Sequence, residues 1–458
     1  MTRWLLSLSL IAIGGAGLSL IPLSRAAEEA AAERGRDIMF GRSLNPAVWS
    51  LKAYEDAWKQ WGVPEKPADF ARAFRERYGL HPAPYENQGL PMGLHEAPGL
   101  PGRGLTSDCL LCHAGSVAGR TYIGLPNTTL DLQSLFQELA AAGGFGRWMP
   151  LRLSNVRGTT EAAAATVYLL KIRDPDLRLN PGRVIEQTGF KAGIRDDLCE
   201  DMPAWWLLKK KKTMYHTGDT SARSVRSMMP FLLSPLHSGQ SIKAKEPVFA
   251  DIQAYLLTLE PPRYPFAIDG ALARRAEEIF NRNCARCHGT YGPNGRYPNK
   301  VIPLDVIGTD PARASGISDE VGRLYMKSWF AQDEGPDGEP YHGLNWGGYQ
   351  APPLDGVWAT APYFHNGSVP TVYHVLNSKE RPKVFTRSFR TGEEDYDRIR
   401  VGWRITVLDR SPNAGVPAIE RRKVYDTTRP SQGNGGHPFG DRLTEEERWA
   451  VIEYLKTL

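Results

Sequence analysis

Helical spacing of apolar residues is clearest at the end of this chain. Val451, Leu455 and Leu458 fall on one face, and Thr444 with Glu447 supplies a reciprocal cap at the start of that helix. An earlier stretch, Ile252-Gln253-Ala254-Tyr255-Leu256-Leu257-Thr258-Leu259, echoes the terminal Val451-Ile452-Glu453-Tyr454-Leu455-Lys456-Thr457-Leu458 in its Tyr-Leu-x-Thr-Leu. Residues 271–283 predict a further amphipathic helix, and residues 37–40 and 46–60 also look helical. Elsewhere the periodicity breaks down. Residues 80–104 are rich in Gly and Pro, residues 291–353 read as loops, and residues 396–424 alternate enough to predict a small hairpin.

The first apolar run, residues 4–20, follows Arg3 and is broken by Pro22; Ser24-Arg25-Ala26 then offers small residues for cleavage. This predicts a signal peptide over residues 1–26 and a periplasmic or secreted protein. An uncleaved anchor is the alternative, because the run is nearly bilayer length; Gly14, Gly15 and Gly17 favour cleavage. No later segment is apolar enough to span, so no stable membrane span is expected after cleavage. The repeated Tyr-Leu-x-Thr-Leu divides the remainder into residues 27–260 and 266–458, joined by a stiff Pro-rich linker at 261–265.

Four of the five cysteines sit in Cys109-Leu110-Leu111-Cys112-His113 and Cys284-Ala285-Arg286-Cys287-His288. Two residues between the cysteines let both thiols reach the vinyl groups of one porphyrin, and the adjacent histidine can ligate its iron. Two covalently bound haem c groups are therefore expected, held by Cys109, Cys112, His113, Cys284, Cys287 and His288. Zinc or a redox dithiol is the alternative reading of the cysteines alone. Each motif precedes one copy of the repeated helix, as in a cytochrome c domain. The expected fold is mainly α: two cytochrome c-like haem domains with long irregular loops and insertions, and little β. The 45 glycines and 35 prolines agree with many loops.

The formal charge of +5 falls to +3 once Arg3 and Arg25 leave with the signal. Roughly four haem propionates would cancel that, so nucleic acid is not an expected partner. The run Lys209-Lys210-Lys211-Lys212 reads as a solvated charged face, with docking of an acidic redox partner as the alternative. The fifth cysteine, Cys199, stands among Asp196, Asp197, Glu200 and Asp201, which disfavour its thiolate and predict an inert thiol.

Function depends on the far side of each iron. With two protein ligands a haem transfers electrons; with one it can meet dioxygen or peroxide. After Met326 no methionine remains, leaving His342, His365, His374 and His437 for the second haem. His437, in a Gly-rich loop before the last helix, is favoured, and Pro438 biases it toward an extended backbone. His365 reads as a propionate partner or core histidine more readily than as a ligand. For the first haem Met92, His95, Met228 and Met229 are candidates and none stands out. Trp205 and Trp206 could relay an electron between haems, though core packing is the commoner role of tryptophan.

The segment Pro352-Pro353-Leu354-Asp355-Gly356-Val357-Trp358-Ala359-Thr360-Ala361-Pro362-Tyr363-Phe364-His365-Asn366-Gly367-Ser368 resembles the signature of the bacterial di-haem cytochrome c peroxidase superfamily, and within it the di-haem rubber oxygenase-like branch. Gly89-Leu90-Pro91-Met92-Gly93, the 109–127 stretch, residues 203–212 and residues 433–458 carry the likeness further. The resemblance implies an open first haem on His113 and a second haem clamped by His288 and His437 as electron reservoir. It also implies an oxidant, dioxygen or hydrogen peroxide, and a reductant or redox protein as partner. Di-haem peroxidases place a methionine after the Tyr-Phe-His turn, and none follows here; rubber oxygenases are longer than this chain. The expected function is thus an exported haem-dependent oxidoreductase of oxygenase or peroxidase type, with a pure electron-transfer di-haem cytochrome as the alternative.

Overall fold

The computed structural model describes residues 21–99, 102–146, 152–187, 197–234, 236–316, 319–335, 338, 340–341 and 347–458. Two pairs of packed helices organise it. In the first, Ile21–Gly41 packs against Glu246–Thr258. Gly35 makes this approach possible: a Cβ there would lie 2.0 Å from the Asp251 carbonyl oxygen. The Arg34 guanidinium, 2.7 Å from the Asp251 carboxylate, fixes the register. The sequence shows only the last turn of this helix because residues 26–36 are mostly Ala, Glu and Arg; their contact depends on a missing side chain, not on an apolar stripe.

The second pair is Gly270–Asn283 against Glu445–Leu455, the helices expected from the periodicity. Asp269 caps the former by accepting from the Ala271 and Leu272 amides, and Ala273, Ala276 and Phe280 form its buried face. Phe280 meets Tyr454 with ring centroids 5.0 Å apart. The Thr444–Glu447 capping box is present in both directions.

The strands form sheets of two or three strands. Trp49–Ser50, Arg103–Ser107 and Leu94–Pro98 make an antiparallel sheet with Trp49 opposite Leu105 and Leu94 opposite Ser107. The helical expectation over 46–60 therefore holds only after Ser50, which caps Leu51–Glu55. The hairpin expected within 396–424 is Tyr396–Asp397 with Gly402–Trp403. Residues 291–353 are less irregular than their composition suggests, since they include Asp319–Lys327 and the Val301–Pro303 and Gly348–Gln350 strand pair.

The two halves share a core. One apolar cluster joins Val117, Leu125, Ala204 and Trp206 to Phe280, Trp358, Tyr396 and Val451. Residues 261–265, expected as a linker, are pinned to it: Tyr264 is buried there, and the Trp358 indole donates to the Pro262 carbonyl at 2.7 Å. A buried Arg422–Asp131 ion pair adds a second bridge. Among the described residues no helix is long and apolar enough to cross a membrane. The apolar part of the expected signal peptide, residues 4–20, lies outside the described residues, and Ser24 to Ala26 fall in the first turns of Ile21–Gly41.

Candidate haem sites

Around the second motif, the chain leaves Gly270–Asn283 through Cys284 and forms one more turn, Ala285–His288. Gly289, at φ 86, ends it where a Cβ would meet the Arg296 carbonyl oxygen at 2.5 Å. The His288 Nδ1–H donates to the Pro352 carbonyl at 2.8 Å, which fixes the tautomer and leaves Nε2 free for a metal. Facing it is His437, with ring centroids 6.2 Å apart and planes inclined by 58°. Two imidazoles sharing one iron, each nitrogen about 2 Å from the metal, place their centroids about 6 Å apart. The pair therefore fits a bis-histidine haem. Burial holds both imidazoles below the usual histidine range, His437 at about 3, so both are neutral and able to ligate.

His437 is not extended, as the preceding-proline rule predicts, but left-handed, at φ 47 and ψ 54. The surroundings over-determine it. Its amide donates to the Ile307 carbonyl at 2.6 Å, and Gly436 lies so close to Gly308 that a Cβ would approach a backbone carbon to 2.2 Å. The Arg381 Nη1 donates to the Asn434 and Gly436 carbonyls, both at 2.7 Å, while its guanidinium covers Phe364 at 4.9 Å. The Asn366 amide donates to the Ser431 and Gly433 carbonyls. The Tyr363-Phe364-His365-Asn366-Gly367 turn thus builds the loop that presents His437. Of the other candidates, His365 stacks on Tyr349 at 3.9 Å, His374 bonds Thr371 Oγ1 through Nδ1 at 2.7 Å, and His342 lies outside the described residues.

A cavity of about 260 Å³ is lined by Cys284, Cys287, His288 and His437, with Phe280, Leu376, Val451 and Leu455 among its apolar walls. Asp201, Lys211, His216 and His365 also line it, and of these only His365 was expected from the sequence as a candidate near the haem. The lysine run is a solvated face only in part, with Lys210 and Lys212 exposed. Lys209 pairs with Glu260, Lys210 with Asp355, and Lys211 is only 6% exposed. A turn of 3-10 helix, Trp205–Lys209, sends successive lysines in different directions, which four identical letters cannot announce.

At the first motif, Asp108 accepts from the Leu110 amide to start Leu110–His113. The three carbonyls at its end are all taken: Gly124 N donates to His113 O, Asn127 N to Cys112 O, and Asn127 Nδ2 to Leu111 O. Gly93, at φ 86, would bring a Cβ within 2.3 Å of Leu111 Cα, so the Gly-Leu-Pro-Met-Gly stretch serves as a close-packed wall for the haem motif. His113 repeats the arrangement of His288, its Nδ1 donating to the Pro203 carbonyl at 3.1 Å. Burial lowers its pKa to about 4.

The two tryptophans separate in role. Trp205 lies nearly parallel to the His113 ring, 4.6 Å away at 21°, whereas Trp206 is a core residue whose indole donates to Asp355 O. Among the described residues, the one ring contact of His113 is with Trp205. His95 is tied to Asp108, Nε2 to Oδ2 at 2.7 Å. Met92 and Met229 are fully buried in the cluster that contains Leu110 and Ala114, with Met228 at its edge. Cys199 is buried, and desolvation pushes its thiol up, in keeping with an inert role. Among the described residues no three His, Cys, Asp or Glu side chains gather as ligands for one ion.

Residues 348–386, the stretch from the Tyr349 strand through the Tyr-Phe-His-Asn-Gly turn and past Arg381 to Thr386, match a family described as RoxA-like, cytochrome c-like. The chain is also similar to two proteins of Sinorhizobium fredii (strain NBRC 101917 / NGR234). Uncharacterized protein y4iM is 29% identical, over 60% of this chain and 69% of that protein. Uncharacterized protein y4iJ is 30% identical, over 44% of this chain and 41% of that protein. The family match supports the likeness to the rubber oxygenase-like branch. A cytochrome c-like domain carries covalent haem c with its iron, and a haem cytochrome oxidoreductase is the class of protein to which this chain is similar.

Proposed function

We propose that the chain is an exported di-haem oxidoreductase, built of two cytochrome c units over residues 27–260 and 266–458, whose two haems are unequal. The observation that carries this reading is the contrast between the histidines: His288 faces His437 at 6.2 Å, while His113 has Trp205 beside it. Cys109 and Cys112 would hold the first haem and Cys284 and Cys287 the second. When bound, haem c supplies a redox-active iron that meets dioxygen or hydrogen peroxide where a face is open and stores an electron where both faces are closed.

The protein's own contribution is positioning. Pro203 and Pro352 hold the two proximal imidazoles by Nδ1, so that Nε2 is presented in each. Trp205, stacked on His113 and following Pro203 and Ala204 of the cavity wall, is the favoured electron bridge; Trp206 packs in the core instead. A reductant or redox protein would deliver electrons, and export follows from where c-type haem is attached.

The second reading, a pure electron carrier, draws on one observation: Met92 and Met229 are buried beside the first motif, where a thioether could close that iron. Electron paramagnetic resonance of the oxidised protein separates the two. One high-spin and one low-spin haem are expected, and His437→Ala should turn the low-spin signal high-spin. Two low-spin signals that do not respond to peroxide or partial reduction would sink the oxidoreductase reading, and Met92→Ala or Met229→Ala would then show which thioether closes the first site.

A further inference from the structure

Haem is an amphiphile, with an apolar thioether edge opposite two anionic propionates, and the His288–His437 cavity offers both apolar walls and buried polar groups. Cys284 and Cys287 enter from the helical side with Phe280, Val451 and Leu455. Besides Asn283 and Arg286 next to the cysteines, the polar lining comes from other segments, among them Asp201, Lys211 and His216, then Thr309, Tyr349 and His365. Four of these groups are contiguous. His216 Nε2 donates to the Asp201 carbonyl at 2.7 Å, the Asp201 amide donates to the His365 carbonyl at 2.8 Å, and His365 stacks on Tyr349.

Within this set, several polar groups have nothing to bind. Lys211 is 6% exposed, and among the described residues no carboxylate pairs with its ammonium. Asp201 Oδ1 and Thr309 Oγ1 are buried without partners. The nearby Arg313 is not among the lining residues, and its Nε is held in a buried pair with Glu200. An unpaired ammonium in a cavity of mostly apolar lining costs several kcal/mol unless an anion joins it. Burial alone lowers Lys211 to about 8. The same burial raises the Asp201 carboxyl well above its ordinary range, favouring its protonated, hydrogen-bond-donating form.

We propose that Lys211 is the cationic anchor of this cavity, pairing with a propionate of the second haem, while Asp201, Thr309 and His365 donate hydrogen bonds to the same carboxylates. The inference rests on the di-haem reading of this cavity and goes beyond it by assigning its polar end. Lys211 is a positioning residue: its charge orients the porphyrin between His288 and His437 and favours the reduced, less positive iron.

Spectroelectrochemical titration of the purified holoprotein tests this, with haem content first measured as the pyridine haemochrome. A wild-type protein carrying a single haem, on Cys109 and Cys112, would overturn the di-haem reading itself, before any variant is compared. With two haems present, Lys211→Gln is expected to lower the midpoint potential of the low-spin haem alone. The oxidised-to-reduced ratio at fixed potential should rise about tenfold, about 59 mV for a one-electron couple. Lys211→Arg should restore most of the shift. An unchanged low-spin potential in a fully loaded Lys211→Gln protein overturns the proposal, as does an equal shift at both haems. Should Lys211→Gln fail to accumulate, wild-type protein labelled with ¹⁵N at its lysine ammonium groups gives the answer. A lysine band must move in the reduced-minus-oxidised infrared difference spectrum, and no moving band refutes the anchor.

Discussion

Arg381→Met tests whether the loop carrying His437 is held by one side chain. Arginine spends its guanidinium entirely on backbone carbonyls: Asn434 and Gly436 at 2.7 Å through Nη1, His374 at 2.8 Å through Nε, and Val375 at 3.2 Å through Nη2. Methionine keeps the apolar stem and removes every donor. The two short bonds to the loop, beside a longer one of 3.5 Å from Nη2 to the His437 carbonyl, are charge-assisted and worth about 1.5 kcal/mol each at the low end, so closure of the loop should weaken by about 3 kcal/mol. That is roughly a hundredfold in the equilibrium between closed and open loop, at about 1.4 kcal/mol per factor of ten. An external ligand can reach a bis-histidine iron only after His437 leaves. Stopped-flow cyanide binding to the low-spin haem should therefore saturate at a rate roughly a hundredfold above wild type. A saturating rate within about threefold of wild type, in a variant with unchanged circular dichroism, would refute the argument that Arg381 fixes the ligand loop.

Gly436→Ala should act on the same loop by sterics, because its Cβ would approach the Gly308 backbone to 2.2 Å at φ 75; loss of the low-spin signal checks it, and an intact signal counts against it. Asn127→Ala removes the donor to the Leu111 and Gly79 carbonyls, both at 3.0 Å, and should cost about 2 kcal/mol in denaturant unfolding while lowering haem attachment at Cys109 and Cys112. His374, buried and lowered to about 4 by desolvation, binds its proton more weakly folded than unfolded. Its contribution to stability is complete above about pH 6.5 and is lost as pH falls toward 4, by about 3 kcal/mol in total. His374→Gln should flatten that part of the unfolding curve, and an identical pH profile would show that another group dominates.

What the sequence made legible was whatever rests on spacing. The Gly270–Asn283 and Glu445–Leu455 helices and the capping box at Thr444 are local patterns, and each is found where it was expected. His437 was legible for a different reason: with no methionine after Met326, few groups could face His288. The backbone argument for it failed, however, because Gly436 against Gly308 and the Arg381 bonds impose a left-handed conformation that a local rule cannot foresee. The first helix was hidden because its contact is made by Gly35, and the lysine run misled because composition gives no sign of which side chain turns inward. Long-range packing decided every one of these cases.

The same packing bears on how two sites could act as one. His113 is held through the Pro203 carbonyl, and Pro203 also lines the cavity of His288 and His437. Asp201, two residues earlier, donates its amide to His365 of the Tyr-Phe-His-Asn-Gly turn, whose Asn366 holds the loop before His437. Trp205, two residues later, stacks on His113. One short segment, residues 201–205, therefore touches the supports of both candidate haem sites. A rearrangement at His437 that displaced the turn would be felt at the His113 hydrogen bond without any movement of the helices. If the sites are coupled in this way, loosening the His437 loop through Arg381→Met should alter the high-spin spectrum of the first haem as well as the low-spin spectrum of the second. If they are merely adjacent, only the second should change.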